Sequence, residues 1–268
     1  MIVKPASLYA AALCLALVSC QAVGPKHSTP PSEGAASYKD EAAAYSKRVD
    51  GNWWRVFGDA KLNSLMADLG KGNFDLRAAE ARRNQAYAAL GIDRSLLYPQ
   101  VFSEASASRE RGTESDRGGM PGGMATYFSQ YRVGMSLSYE VDLWGRVRRL
   151  VEAGVANTEA SEAALRQAEL SLRAQLARNY FALRFLDSEA AVLVEELGTR
   201  RETLDLAEER FQGGKTSELD VARAKSELAS TRAQLVGLQA PRAALENAIA
   251  VLAGRNASNF QLKAEAIT

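Results

Sequence analysis

Only three residues of this 268-residue sequence carry a thiol or an imidazole, the groups that most often bind metals or act as nucleophiles: Cys14, Cys20 and His27. A zinc site needs about four converging ligands, and His27 lies in a stretch rich in Pro, Ser and Gly, so we interpret it as a solvated linker residue. The many Asp and Glu side chains have no nucleophile or general-acid partner beside them and are expected on solvated helix faces. The sequence therefore predicts no catalytic residue, no metal site and no cofactor.

Cys20 has the surroundings of a modification site. Lys4 and the free amine supply positive charge, and the apolar run from Ala6 to Leu17 is shorter than the roughly 20 residues of a membrane-spanning helix. The run ends in Leu17-Val18-Ser19-Cys20, which resembles the bacterial lipobox, where cleavage precedes the cysteine and both its sulfur and its new amine are acylated. The alternative is an ordinary secretory signal that contains an incidental cysteine.

Acylation of Cys20 has consequences for the thiols and for the destination of the protein. Cys14 would leave with the signal peptide, so the mature chain would have neither a free thiol nor a disulfide. Each buried methylene of an acyl chain contributes about 0.8 kcal/mol, so several chains anchor a protein durably. The residue after the cysteine is Gln21, not the Asp that retains many such lipoproteins in the inner membrane, which indicates the outer membrane.

The composition favours long helices and argues against nucleic-acid binding. Aromatic residues make up 7% of the chain, whereas Ala, Leu, Glu and Arg are abundant, and such a composition suits extended helices better than a thick globular core. The formal net charge is +1, whereas a nucleic-acid-binding protein usually shows a basic excess or patch.

The first part of the mature chain is predicted to be a tether followed by two helices. Residues 21–51 are rich in Pro, Ser, Gly and Ala and have no sustained apolar period. Asp59 can cap a first helix, and Asn73 or Asp75 can start a second one. The second helix should end before Pro99, because the residue before a proline disfavours helical geometry. The apolar positions of the first helix are Leu62, Leu65, Met66 and Leu69.

The pattern then changes to a period of two. From Tyr127 to Val141 the odd positions are mostly apolar and the even positions mostly polar, which predicts a strand with two different faces. Gln100–Arg109 alternates more weakly, and the Gly-rich stretch 112–125 predicts a loop between the two strands. Both strands are long enough to cross a membrane, which takes about 9–11 tilted residues. A soluble hairpin with one face on a core fits the same pattern equally well.

The rest of the chain predicts two long helices. No proline occurs between Arg146 and Phe211, and one helix over that span would be roughly 100 Å long. Its apolar residues are spaced alternately by three and four, as in a coiled-coil heptad: Leu172, Leu176, Leu183, Leu186, Leu193, Leu197, Leu204 and Phe211. A second heptad follows the Gly213-Gly214 break: Val221, Ala224, Leu228, Thr231, Leu235, Leu238, Leu245, Ile249 and Leu252.

Two heptad helices joined by a tight turn should pack antiparallel as a helical hairpin. Ser217 can cap the returning arm, and Pro241 is expected to kink it. Small residues on other faces, as at Ala174, Ala177 and Ala182, would let the first helix contact neighbours on two sides.

Five local patterns resemble those of one protein family, and they occur in the family's order. They are Cys20–Pro25, Trp53–Asp59, Tyr139–Arg146, Arg210–Val221 and Leu252–Arg255. They resemble, in turn, the acylated start, the first folded segment, the strand-to-helix junction, the helical-hairpin turn and the end of the first half of the outer membrane factor lipoproteins of tripartite, RND-type efflux systems, the TolC-like or NodT family. The patterns cover nearly the whole mature chain.

The resemblance implies a fold and a function. The expected fold is mainly α with a β-hairpin, in which long antiparallel coiled-coil helices form part of a periplasmic α-barrel and two long strands contribute to a trimeric outer-membrane β-barrel. The implied function is a passive export duct for small toxic compounds across the outer membrane. The implied partners are a periplasmic adaptor (membrane fusion) protein, an inner-membrane RND-type transporter, two further copies of the chain and outer-membrane lipid.

Family protomers normally contain two similar halves, and only the first is recognisable here. The sequence stops at Thr268, a few residues after Gly254, where the second half should begin. The chain is therefore expected to be a fragment, a split gene product or one part of a larger assembly. The alternative function is a structural coiled-coil outer-membrane lipoprotein, or a fragment without pore activity.

The resemblance also implies a site at the strand-to-helix junction, formed by Asp142, Trp144, Gly145 and Arg146. Trp144 would lie at the bilayer surface, Gly145 would allow a sharp turn, and Asp142 would cap the long helix. Local packing without a role in transport is the alternative. Arg146, Arg148 and Arg149 form a basic cluster, which is interpreted as a solvated helix start or as a contact for anionic groups at the membrane surface.

The second implied site is the tip of the helical hairpin, which would dock the adaptor. Its residues are Arg210, Gly213, Gly214, Thr216, Ser217 and Asp220. The glycines would expose the backbone, while Ser217 and Asp220 could bond to the helical tip of a partner. Intramolecular capping alone is the alternative.

Together these observations divide the chain into six segments. They are a lipoprotein signal peptide (1–19), an acylated tether (20–52), N-terminal helices (53–98), a transmembrane β-hairpin (99–141), a long helical hairpin (142–254) and a truncated linker to a missing second repeat (255–268).

Overall fold

The chain consists of a short helical start, one strand hairpin and a long helical hairpin. A computed structural model describes residues 22–30, 51–112 and 126–266. The helices are α1 (Ala60–Gly72), α2 (Phe74–Ser95), α3 (Arg146–Gln212), α4 (Glu218–Gly237) and α5 (Gln239–Leu252), with 3-10 turns at Trp53–Phe57 and Ala257–Asn259. The strands β1 (Gln100–Gly112) and β2 (Thr126–Ser138) pair antiparallel. The expected mainly helical fold with one β-hairpin is confirmed.

The chain divides into two compact units. The junction unit comprises Met1–Pro31 and Arg83–Ser161, and the hairpin unit comprises Ser32–Arg82 and Glu162–Thr268. The boundaries between them fall within α2 and within α3. Among the helices of the described ranges, none has both the length and the apolar composition that crossing a membrane requires.

The first helix of the hairpin unit packs as its sequence predicts. Asp59 caps α1, because its Oδ1 accepts a 2.9 Å hydrogen bond from the N–H of Leu62. The predicted apolar positions of α1 are all 2% exposed or less. They share a core with side chains of α3 and α5, among them Leu172, Leu176, Tyr180, Leu183, Ile249 and Leu252. Each fully buried leucine stabilises the fold by roughly 1.5–3 kcal/mol, so this core outweighs surface ion pairs, which contribute about 0–1 kcal/mol.

Asn73, rather than Asp75, caps α2, and it also pairs a group at the end of α5. Its Oδ1 accepts from the N–H of Leu76 at 2.8 Å, and its Nδ2 donates to the C=O of Leu252 at 2.9 Å. Asn73 is 2% exposed, so both main-chain groups would otherwise be unpaired inside the core. An amide supplies an acceptor and a donor together, whereas a carboxylate would serve only one of the two helix ends.

The two heptads pack antiparallel, as predicted. The buried residues of this seam include Leu176, Leu183, Leu193, Val221, Leu228 and Thr231. Lys225 Nζ lies 2.9 Å from Glu208 Oε1 across the helix pair. The seam loosens towards the turn, where Phe211 is 44% exposed.

Pro241 breaks the returning arm instead of only kinking it. The ring of a proline clashes with the C=O of the residue four positions earlier, and a proline has no N–H to bond it. That earlier residue is Gly237, where α4 ends, and α5 begins two residues later at Gln239. The N–H of Leu238 bonds back to the C=O of Leu235 at 3.3 Å, which closes the last turn of α4.

A buried cluster of charges holds the extended segment that follows α5. Arg184 and Asp187 are each 5% exposed, whereas the sequence predicts solvated faces for charged side chains; for these two residues that prediction is wrong. Asp187 accepts hydrogen bonds from Arg184 at 3.1 Å and from Arg242 at 2.7 Å. The same arginines donate to the C=O groups of Lys263 and Leu262, both at 2.8 Å. Helix side chains therefore fix the path of the segment by its main chain.

Two glycines allow the ends of α1 and α5 to touch. Gly254 has a left-handed φ of +69°, and a Cβ there would lie 2.1 Å from the C=O oxygen of Gly72. A Cβ on Gly72 would in turn lie 2.9 Å from the C=O oxygen of Ala253. Both obstacles are backbone atoms, which cannot rotate away as a side chain can, so glycine is required at both positions.

We expect Gly254→Ala to lower the free energy of unfolding by about 2 kcal/mol or more. The left-handed conformation alone costs an alanine roughly 1–2 kcal/mol, and the clash with Gly72 adds to it. Gly70→Ala is the matched control, because Gly70 lies in α1 with open space around it and alanine should stabilise a helix there. Urea unfolding followed by circular dichroism measures both, and equal stability of the two variants would contradict the role of Gly254.

The carboxylate of Asp59 also makes the fold sensitive to acid. Burial raises its pKa, but hydrogen bonds from the Tyr180 hydroxyl, at 2.6 Å, and from the N–H groups of Leu62 and Lys61 outweigh burial, so the net pKa is lowered. A group with a lowered folded pKa stabilises the protein above its unfolded pKa, about 3.9 for Asp, and this contribution is lost as the pH falls through the folded value.

Asp59→Ala should therefore reduce stability at pH 7, by about 1–2 kcal/mol for the lost cap, and the deficit should shrink as the pH drops below about 4. Asp205→Ala, at an exposed position in α3, is the control. Urea titrations between pH 3 and pH 7 measure the two differences. A deficit for Asp59→Ala that stays constant over this range would rule out the proposed linkage.

Candidate functional site

The β-hairpin has one apolar and one polar face, and the apolar face is uncovered in this chain. Along β2 the exposed fractions of Tyr131, Val133 and Met135 are 79%, 86% and 79%. The register places Ala105 opposite Val133 and Val101 opposite Leu137 on that face. The alternative of a hairpin packed on a core of the same chain is therefore wrong. An exposed apolar surface of this kind marks a site of contact with lipid or with another protein surface.

The second strand ends earlier than its sequence predicts. The alternation continues to Val141, but β2 ends at Ser138, which pairs with Gln100. Pro99 precedes Gln100 and has no N–H to extend the ladder. Tyr139 and Val141 consequently lie outside the strand, although both remain more than half exposed.

Behind the hairpin, four residues make the turn into α3. The Oδ2 of Asp142 accepts a 2.9 Å hydrogen bond from the N–H of Arg148, so Asp142 caps α3 as predicted. Burial raises the pKa of this carboxyl, but the N–H groups of Arg148 and Val147 outweigh burial and lower it. Gly145 has a φ of +81°, which explains the glycine, and Trp144 is 71% exposed.

The basic cluster at the start of α3 is neutralised within the chain. Arg146 pairs with Glu140, Arg148 with Asp142 and Arg149 with Glu152. The predicted free or membrane-facing basic cluster is therefore not what forms. The hydrogen bond from Arg146, opposed by partial desolvation, lowers the pKa of Glu140 and keeps it ionised at neutral pH.

The described part of the tether does not behave as a solvated linker. The N–H of Val23 donates to the C=O of Trp144 at 3.1 Å, and the N–H of His27 donates to Glu152 at 2.7 Å. The main chain at His27 is thus bonded to α3, which corrects the interpretation of this stretch. The predicted acylation site Cys20, the signal peptide and residues 31–50 lie outside the described residues.

At the other end of α3, the predicted hairpin tip closes on itself. Gly214 has a φ of +67°, and the N–H groups of Lys215 and Gly214 bond to the C=O groups of Arg210 and Phe211 at 2.8 and 2.9 Å. These two bonds form the Schellman motif, in which the residue after the helix adopts left-handed geometry. The tip glycines are thus explained by the helix end itself.

The hydroxyls of the tip bond to Asp220. The Oδ2 of Asp220 accepts from the Oγ1 of Thr216 and the Oγ of Ser217, both at 2.7 Å, and Ser217 and Asp220 form a capping box. The hydroxyl of Ser217 first, and that of Thr216 next, lowers the pKa of Asp220. These side chains are committed to capping, so the groups that the tip presents outwards are the exposed Phe211 and Leu219. The sequence reasoning missed both, although both are large apolar residues beside the turn.

The described residues hold no group of three or more His, Cys, Asp or Glu that could bind a metal. The acids whose pKa is lowered most clearly, Asp59, Asp142 and Asp220, all hold helix ends. The arrangement can therefore fix chain segments and present apolar surfaces.

The chain is similar to known proteins over most of its length. A family model described as "Outer membrane efflux protein" matches residues 65–255. The probable outer membrane lipoprotein SilC of Salmonella typhimurium is 24% identical over 89% of this chain and 51% of its own length. The pyoverdine export outer membrane protein OpmQ of Pseudomonas aeruginosa is 31% identical over 82% of this chain and 48% of its own length.

A solved structure has the same fold. The outer-membrane channel OprN superposes with a TM-score of 0.73 at 33% identity, covering 91% of this chain and 54% of its own. This chain spans about half the length of the curated relatives it matches. The match covers the strand hairpin, the junction and the helical hairpin together.

Ser217→Ala should loosen the start of α4, because alanine cannot accept the hydrogen bond from the N–H of Asp220 and the loss of such a cap costs about 1 kcal/mol. Amide hydrogen exchange at Asp220 should become about fivefold faster, as that energy implies. Ser230→Ala, at an exposed position inside α4, should leave exchange at Asp220 unchanged. Equal exchange rates in the two variants would show that the capping box does not hold the tip.

Proposed function

Because the chain belongs to the outer membrane efflux protein family, we propose that it is a lipid-anchored subunit of an outer-membrane channel and serves as a passive exit duct for small toxic compounds. The observation that carries this proposal is the uncovered apolar face of β2, where Val133 and Met135 are 86% and 79% exposed. The relatives reported above are named as a lipoprotein, an export protein and a channel of the outer membrane, and none is named as an enzyme.

The strand hairpin suits a membrane-spanning wall. Each strand has 13 residues, more than the roughly 9–11 that a tilted strand needs to cross the hydrocarbon layer. On the polar face, opposite the apolar one, lie Glu104, Gln130, Arg132 and Ser136. Apolar side chains facing lipid and polar side chains facing a water-filled lumen are the arrangement of outer-membrane channels.

One hairpin cannot form such a wall alone. Each strand has one edge whose main-chain groups have no partner in the two-stranded sheet, and unpaired edges are not tolerated inside a bilayer. Strands from other segments or copies must therefore pair with both edges. We propose a homotrimer, in which each copy is completed by a second repeat of the kind described here.

The helical hairpin suits a periplasmic wall. Beside its buried seam, α3 exposes Phe185 and Val192, each 64%, and Leu206, 46%. These residues are separated by multiples of seven, so they lie along one side of a coiled-coil helix. They form a second face for neighbouring helices. The tip around Phe211 and Leu219 would meet a periplasmic adaptor protein, and an inner-membrane RND-type transporter would supply the energy, so the duct itself needs no cofactor.

The alternative, a coiled-coil lipoprotein without a pore, requires no membrane-inserted hairpin. It accounts for the heptads and the lipobox but leaves the apolar face of β2 without a role. A soluble monomer after removal of the signal and Cys20, with no conductance in planar bilayers, would favour it. Detergent-resistant, heat-modifiable oligomers that conduct ions favour the duct.

Met135→Arg should abolish assembly in the outer membrane, because an arginine on the lipid-facing side costs about 2–4 kcal/mol near the bilayer midplane. Ser136→Arg, one residue along on the polar face, is the matched control and should assemble normally with altered conductance. Both are measured in the acylated chain by heat-modifiable oligomers in outer-membrane fractions and by planar-bilayer conductance. Equal tolerance of the two substitutions would count against a membrane-spanning hairpin.

A further inference from the structure

The start of α3 carries a binding site for the chain segment that follows Cys20. Residues 22–28 pass along the first turns of α3, within the junction unit. We propose that Arg149 and Glu152 form a dock for this segment, and that the dock fixes the lipid anchor beside Trp144. The proposal rests on the proposed function only in taking Cys20 as the acylated residue.

Arg149 binds three consecutive main-chain carbonyls. Its Nε donates to the C=O of Val23 at 3.2 Å, and its Nη2 donates to the C=O groups of Gly24 and Ala22, the latter at 3.4 Å. A guanidinium presents five N–H donors in a rigid planar fork, whereas a lysine offers a single point charge. The contact therefore requires arginine and is indifferent to the side chains of the docked segment.

Glu152 completes the dock from the next turn of α3. It pairs with the Nη1 of Arg149 and accepts the N–H of His27 at 2.7 Å. The N–H of His27 first, and Arg149 next, lowers the pKa of Glu152, so it is ionised at neutral pH. The two side chains together bond to the main chain at both ends of the stretch 22–27, which fixes its direction along the helix.

The junction itself provides a third attachment. The N–H of Val23 donates to the C=O of Trp144 at 3.1 Å. A Cβ on Gly145 would lie 2.3 Å from the Cβ of Ala22, so any other residue at 145 would push the segment away. Gly145 thus has two reasons to be glycine, its left-handed φ and this close approach.

Docking determines where the lipid chains enter the membrane. Two residues span at most about 7 Å, so a docked Ala22 keeps Cys20 within that distance of the junction. A free tether over residues 21–52 would instead place its ends roughly 30 Å apart as a random coil. The exposed Trp144, an aromatic residue of the type found at membrane surfaces, lies at the same place. The anchor and the exit of β2 would therefore share one depth.

Proteolysis after Lys26 tests the dock in the acylated full chain in detergent. A lysine-specific protease needs an unpaired segment, and the N–H of the bond it would cleave, that of His27, is bonded to Glu152. Each hydrogen bond to a charged group contributes about 1.5–3 kcal/mol. Arg149→Ala and Glu152→Ala should each speed the appearance of the His27 amino terminus at least about tenfold, and Arg149→Lys should have an intermediate effect.

Arg166→Ala, at an exposed position further along α3, is the matched control and should cleave as the unchanged chain does. Circular dichroism checks that the variants keep their helices. A second arm uses unacylated Cys20→Ser, in which protection at Lys26 should persist because all the docking contacts follow position 20. Equal cleavage of Arg149→Ala, Glu152→Ala and the control would overturn the dock, and so would loss of protection in Cys20→Ser, since the lipid would then be holding the segment. Neither arm measures conductance, so the result is independent of the proposed duct.

Discussion

The need to pair main-chain N–H and C=O groups is the constraint on which most of this structure depends. A buried polar group without a partner costs roughly 1–3 kcal/mol, and each helix end leaves several such groups. Asp59, Asn73 and Ser217 meet the need at three helix starts. For extended segments with no strand beside them, arginines take over: Arg149 in the junction unit, and Arg184 with Arg242 in the hairpin unit.

The same constraint decides where the charges lie. The acids and bases of the junction are paired with each other or with main-chain groups, and the hydroxyls of the tip are bonded to Asp220. The surfaces that remain for outside contacts are therefore apolar: one face of β2, one side of α3 and the pair Phe211 and Leu219. Such surfaces suit lipid and packed helices better than ionic partners.

Under the proposed function, main-chain pairing also makes assembly obligatory. In water the free edges of β1 and β2 can bond to solvent, but in a bilayer they must be paired by other strands. The chain spans about half the length of its curated relatives, and their remaining half is one source of such strands. The lipid anchor is held by side chains of the same junction from which the hairpin emerges, so anchoring and insertion would be coupled through Arg149.

Much of the fold followed from the sequence, because its rules act over a few residues. The change of period separated the hairpin from the helices, the caps Asp59 and Ser217 are local, and the heptads predicted an antiparallel pair. Distant contacts could not be read this way. Asn73 bonds across 179 residues and His27 across 125, and neither has a pattern that identifies its partner.

The buried pair Arg184 and Asp187 has the same spacing as any surface ion pair on a helix, so the sequence could not distinguish it. The docked tether has the composition of a linker, and its hydrogen bonds involve main-chain groups that every sequence possesses. The sequence by itself determined the elements, their ends and the family. Only the tertiary structure decided which charges are buried and which loop-like segments are held, because burial depends on which helices meet, and main-chain recognition leaves no signature in side chains.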